Sequence, residues 1–128
     1  MELNDLTGEI VDAAVDVHRT FGGPGLLESI YEEALGLELR LCGFRVDRQI
    51  AVPVRYKGYS LMASLRLDLL IDDRVIVECK ATSKLSEIVS TQALTYLRLS
   101  NRPIALIINF GQRPLRPNIR RIVNSQST

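Results

Sequence analysis

One stretch, Leu65 to Ala81 (LRLDLLIDDRVIVECKA), constrains this chain more than any other. It reads as two strands joined by a tight turn at Asp72-Asp73. Before the turn, Leu61, Ala63, Leu65, Leu67 and Leu69 fall on one face, and Ser60, Ser64, Arg66 and Asp68 on the other, a period of two. After it, Val75 to Ala81 is a mostly apolar run carrying Glu78 and Lys80 two residues apart. Side chains two apart in a strand share a face, so Glu78 and Lys80 project together and Val77 and Cys79 project oppositely. The turn lies midway between Asp68 and Glu78, so pairing across it brings two carboxylates and an ammonium onto one patch of sheet.

Two carboxylates this close repel, and both stay ionised only with a cation between them. Their oxygens suit Mg²⁺ or Mn²⁺, which keep several waters and bind through one or two carboxylates plus a phosphate. A lysine alongside can orient or deprotonate water, or stabilise the charge that develops on a phosphate. These parts together point to metal-assisted hydrolysis of a phosphodiester. The plainer alternative is a surface carboxylate at Asp68 and a Glu78–Lys80 ion pair. Against it, charged residues inside so apolar a strand are rarely buried without a partner or a metal.

At 128 residues the chain reads as one domain, 1–128, with a fraying tail at 124–128. No apolar run approaches a membrane span, and Glu2, Asp5 and Glu9 stand where a signal peptide needs base. Cys42 and Cys79 lack metal-ligand spacing and read as reduced packing residues of a cytoplasmic protein. A single His disfavours histidine-rich zinc sites, and His18 near a helix end reads as structural before catalytic. Net charge is only +1 but unevenly spread. Residues 1–47 hold ten acids and three bases, whereas 88–128 hold Arg98, Arg102, Arg113, Arg116, Arg120 and Arg121 and no acid. Those arginines either face nucleic-acid phosphates or pair with the acidic N-terminal helices of this or a second subunit.

Leu3 to Phe21 keeps a helical spacing through Leu6, Ile10, Ala13, Ala14, Val17 and Phe21, with Asn4 or Asp5 as cap, and Gly22-Gly23-Pro24-Gly25 breaks it. A second helix is expected over Leu26–Leu41, its apolar arc holding Leu27, Ile30, Tyr31, Ala34, Leu35, Leu37 and Leu41. Glu32, Glu33, Gly36 and Arg40 form its wet face, and Glu28 sits on the arc's edge. There Glu28 either simply favours the helix dipole or points a carboxylate at the sheet. Phe44–Tyr56 reads as a strand, or two short ones broken near Pro53, and Lys57-Gly58 turns it into the Asp68 strand. A third helix over Leu85–Leu99, capped by Ser83 or Ser86, carries Leu85, Ile88, Val89, Ala93, Tyr96 and Leu99, with Gln92 near the arc's centre. A buried Gln must satisfy its amide, by a structural tie or within a site. Ile104–Phe110 is a short apolar strand and Ile119–Val123 an edge strand.

The order helix, helix, three strands, helix, strand, with Glu28, Asp68, Glu78-x-Lys80 and Gln92, resembles the PD-(D/E)xK nuclease superfamily. Gly25-Leu-Leu-Glu28-Ser-Ile-Tyr31 is similar to the signature of its GxxExxY family. Val17-His18-Arg19, Gln49, Tyr56-Lys57-Gly58, Gln92…Tyr96 and Asn109-Phe110-Gly111 carry the likeness along nearly the whole chain. The sequence departs from the pattern in an extra glycine before Pro24 and in Leu67, where the superfamily name has proline. The resemblance implies a single α+β, restriction-endonuclease-like αβββαβ core with a mixed sheet flanked by helices and an extra N-terminal helix. It implies Asp68 and Glu78 as metal ligands, with the Cys79 carbonyl and Glu28 contributing. It implies Lys80 as base or transition-state stabiliser, and Gln92 as support for lysine or phosphate. Mg²⁺, with Mn²⁺ as substitute, is the implied cofactor. Three functions follow: a nuclease, a nucleic-acid- or protein-binding module on the same fold, or a homodimeric accessory protein.

Overall fold

The computed structural model describes residues 1–125. Its elements are α1 (Leu3–Thr20), α2 (Glu28–Leu41), β1 (Val46–Tyr56), β2 (Tyr59–Ile71), β3 (Val75–Lys80), α3 (Glu87–Ser100), β4 (Ile104–Asn109) and β5 (Ile119–Val123). The five strands form one sheet in chain order. β1 to β3 are an antiparallel meander, β3 and β4 pair in parallel across the α3 crossover, and β5 returns antiparallel on the edge. The expected αβββαβ core, its extra N-terminal helix and the edge strand are all present.

The two faces of the sheet are covered unequally. One face buries Leu69, Ile71, Val75, Val77, Cys79, Ile104, Leu106 and Ile108 under Leu6, Ile10, Ala14 and Val17 of α1 and Tyr31, Leu35 and Leu39 of α2. The other buries Leu67, Leu70, Ile76, Ala105 and Ile107 under Ala93 and Leu97 of α3. Strict alternation in β3 and β4 sends successive side chains to opposite helical layers, so both strands are apolar on both faces until Glu78 and Lys80 in β3 and Asn109 at the end of β4.

Local chemistry explains the ends and turns. Ser86 caps α3, its Oγ accepting from the Ile88 N–H at 3.2 Å. α1 starts on Glu2 with no side-chain cap, so neither Asn4 nor Asp5 plays that part. Lys57-Gly58 takes positive φ at both positions, the geometry of a two-residue hairpin turn, and Asp72-Asp73 is likewise left-handed at both. β1 is one strand, with a register shift between Pro53 and Arg55. At the C-terminus Asn124 is buried and its N–H bonds the Pro103 carbonyl at 2.9 Å. The fraying expected from residue 124 therefore does not begin there, and 126–128 lie outside the described residues.

Three expectations about faces are corrected. In α2 the buried side is Tyr31, Glu32, Leu35, Gly36 and Leu39, while Leu27, Ile30, Leu37 and Leu41 are exposed. A tally of leucines put the arc too far round, because the inward Glu32 is held by a partner from β1. Gly36 is buried against the side chains of Arg48, Leu69 and Val46, which a Cβ there would meet at 3.4–3.6 Å, ordinary contact distance. In α3 the fully buried residue is Leu97, whereas Ile88, Leu99 and Gln92 are exposed. Cys42 is exposed at the end of α2 and only Cys79 is a packing residue.

In β2 the alternation breaks at Asp68: Leu67 faces the α3 layer and Leu69 the α1/α2 layer. Opposite the break, Gln49 adopts φ 52° and drops out of a ladder that pairs Arg48 with Leu69 and Ile50 with Leu67. Both strands change face at this point. Beyond it the β1–β2 hairpin leaves the core, and every residue from Arg55 to Ser64 is exposed.

Candidate active site

The β2–β3 ladder runs Ile71↔Val75, Leu70↔Ile76, Leu69↔Val77. Asp68 and Glu78 are next in register, and there side chains replace the ladder. The Cys79 N–H donates to Asp68 Oδ2 at 2.9 Å, and the Asp68 N–H donates to Glu78 Oε1 at 3.4 Å. Each carboxylate is thus pinned by the other strand's backbone, so the expectation of one patch of sheet holds. Glu78 is only 8 % exposed and Asp68 half-buried.

The cost of that burial appears in the protonation equilibria. Desolvation, then the charge of Asp68, pushes the Glu78 carboxyl up to about 8. Asp68 is also raised, first by burial; its bond from Cys79 N–H opposes this, as does the Lys80 charge. Glu28, the first residue of α2, is raised by partial burial, with Lys80 opposing and Asp68 and Glu32 reinforcing. Glu28 therefore lies within electrostatic reach of Asp68 and Lys80 from a different element. Lys80 and Glu78 line a small pocket with Gln92, Val89, Ala93 and Tyr96 of α3. Gln92 reaches the site from the solvent side and is not the buried amide that its wheel position suggested. The Cys79 thiol is fully buried on the opposite face, its pKa well above the usual value through burial, so only its main chain is available here. Larger clefts run along α1, against Arg113 to Pro117 or against Leu106 and Arg121, and contain none of these residues.

A second carboxylate site stands beside the first. Glu32, 5 % exposed, accepts from Gln49 Nε2 at 3.0 and 2.9 Å and from Arg48 Nη2 at 3.0 Å. The left-handed Gln49 is what turns its amide toward α2. Glu32 is not on a wet face, and its charge raises Asp68. The signal for it was its place one helical turn after Glu28, which puts both on one side of α2. Behind Lys80, Asn109 Oδ1 accepts from Thr82 N–H and its Nδ2 donates to Thr82 O, both at 3.0 Å. A Cβ at Gly111 would collide with the Thr82 backbone, so a glycine is required where the two chains cross. His18 is buried with Nε2 3.1 Å from the Phe110 carbonyl, a tie between α1 and the end of β4.

The C-terminal arginines are not gathered at this site. Arg116 pairs with Asp12 and Arg102 with Asp73, each at 2.9 Å. Arg113 donates to the Gly22 carbonyl, Arg120 to Ser86, Ser90 and Leu85, and Arg121 to Asn4. Arg98 is exposed in the last turn of α3. Of the six, only Arg116 pairs with an acid of the N-terminal helices; Arg121 reaches Asn4 of α1, and Arg102, Arg113 and Arg120 are held by groups elsewhere in the chain.

Among the described residues no three His, Cys, Asp or Glu side chains converge into a ready-made metal cage. The pair Asp68 and Glu78 nevertheless fits a cation, since both are desolvated, mutually repulsive and raised. None of the described helices is long and apolar enough to cross a membrane. No curated protein and no solved structure matches the chain significantly. The sequence model of the PD-(D/E)XK nuclease superfamily matches residues 4–122, which span α1, α2, the whole acidic site, Lys80 and α3, and the chain belongs to that superfamily.

Proposed function

We propose that the protein is a divalent-cation-dependent nuclease that hydrolyses phosphodiester bonds, with Asp68 and Glu78 holding Mg²⁺ or Mn²⁺. The observation that carries this reading is the reciprocal pinning of the two carboxylates by the opposing strands, with Lys80 on the same strand as Glu78. Two carboxylates plus water and substrate phosphate suffice for Mg²⁺, which seldom uses an all-protein cage. A bound ion would polarise the phosphate and make the attacking water more acidic. Lys80 holds its ammonium where charge builds on the phosphate, or takes the water's proton when neutral. Glu28 orients that water from the end of α2, and Gln92 contributes an amide on the solvent side. The Gly25–Tyr31 segment supports the GxxExxY branch of the superfamily.

Calorimetric titration of Mn²⁺ and Mg²⁺ tests the site, followed by cleavage assays on DNA and RNA. The expected result is saturable binding in the wild type, its loss in Asp68→Ala/Glu78→Ala, and cleavage abolished in Lys80→Ala with the fold intact. Full cleavage by Lys80→Ala would sink the mechanism. Binding of nucleic acid without cleavage is the second reading, favoured by the exposed cationic hairpin beyond Asp68.

A further inference from the structure

We propose that the outer part of the β1–β2 hairpin, Ala51 to Arg66, is a nucleic-acid docking arm that lays a phosphate backbone toward Asp68. The proposal rests on the nuclease reading for its substrate but not for its geometry. The chain from Asp68 to Tyr59 is long enough to reach about 30 Å along an extended strand. Every residue from Arg55 to Ser64 is exposed, and Val52, Val54 and Leu65 near the base are half-buried. A two-stranded ribbon is marginal alone in water, and an uncovered one with apolar side chains invites pairing. This ribbon carries Tyr56, Tyr59, Leu61 and Met62, all exposed.

Charge decides the occupant. Between Arg48 and Leu67 the chain contains no Asp or Glu. Arg48 is occupied by Glu32, which leaves Arg55, Lys57 and Arg66 as the cations of the ribbon. Two such ribbons repel, so self-pairing is opposed, whereas a polyanion is attracted. The tip adds the second half of the chemistry. Tyr56 and Tyr59 are partners across the turn, with Lys57 over the Tyr56 ring at 5.3 Å. Paired tyrosines give bases a stacking platform, and a bare Met62 is the kind of apolar wedge that enters between base steps. At the base, Arg66 donates to the Gln49 carbonyl at 3.2 Å, at the point where both strands change face beside Asp68. A strand held by Arg55, Lys57 and Arg66 is therefore led toward the acidic site.

Fluorescence anisotropy in excess chelator tests this without cleavage. Labelled duplex and single-stranded oligonucleotides are titrated with wild type, Arg55→Ala/Lys57→Ala and Tyr59→Ala/Met62→Ser. The charge variant is expected to bind at least about tenfold more weakly at low salt. Its log–log salt slope on a duplex should be shallower by about 2, one unit per lost phosphate contact. Arg55→Lys should retain most of the slope, and melting curves of the charge variant should match wild type because both side chains are exposed. The duplex and single-stranded arms of the experiment show which form the ribbon takes. Equal affinity and slope in wild type and the charge variant would overturn the proposal, as would no binding by the wild type to either probe. Loss of cleavage in every preparation, with the anisotropy differences intact, would sink the nuclease reading and leave the arm standing.

Discussion

The two ends of β2 make the most informative comparison in the molecule. Leu67, Leu69, Leu70 and Ile71 are buried, shared between the two helical layers. Tyr59, Leu61 and Met62, in the same strand and comparably apolar, stand in water. Strand propensity is alike at both ends; what differs is whether helices lie above and below. The acidic site sits at the border, where Asp68 is dry enough to be raised yet half-open to a ligand. A carboxylate further inward would have no access, and one further out would stay an ordinary solvated acid.

The strongest way to break this comparison acts on the border. Asp68→Ala and Lys80→Ala should each lower cleavage by about a thousandfold or more while leaving the melting midpoint close to wild type or, for Asp68→Ala, higher. A matched pair then sharpens the inner and outer contrast. Leu69→Ala should cost about 3 kcal/mol in denaturant unfolding, and Leu61→Ala less than about 0.5 kcal/mol. Similar losses at both positions would mean that the ribbon is packed against something in solution.

The border should also respond to pH. The folded Glu78 carboxyl titrates near 8 against an ordinary value of 4.5, so the folded state holds a proton that the unfolded state releases between them. Stability of the metal-free protein is therefore complete below about pH 4.5 as far as this group goes, and falls as pH rises toward about 8. Glu78→Gln should flatten that slope in pH-dependent chemical denaturation, and so should saturating Mn²⁺, which stabilises the charged form. A smaller effect is expected from Glu32→Gln, which keeps the shape but weakens the hold on Arg48 and Gln49; about 1–2 kcal/mol of stability should be lost. The smallest is Arg116→Ala, whose pair with Asp12 is open to solvent on both sides, and about 0.5 kcal/mol or less is expected.

Much of the site is legible in the sequence. The turn at Asp72-Asp73 sets a register that makes Asp68 opposite Glu78 a matter of counting, and the i, i+2 rule adds Lys80. For Glu32 the sequence carries only its spacing from Glu28, because an acid on a helix reads as solvated unless its partner is known, and Arg48 and Gln49 come from another element. Gln92 was placed near the site but in the wrong solvent environment, since α3 packs on Ala93 and Leu97 and leaves the amide outside. The arginine-rich end offers two readings in sequence, and the contacts follow neither fully: Arg116 pairs with Asp12 of α1, whereas Arg102 takes Asp73 and Arg121 takes Asn4.

Sequence alone suffices for the order of elements, the hairpin turns and the register of the strands that carry Asp68 and Glu78. These depend on local periodicity and on backbone angles that few residues accept. Which side of each helix is inward, where β1 and β2 change face at Gln49 and Asp68, and how much of the long hairpin is covered follow from packing between elements. Those outcomes depend on non-local partners, because burial of a charge or exposure of a leucine is settled by what packs against it and not by the residue's own preference.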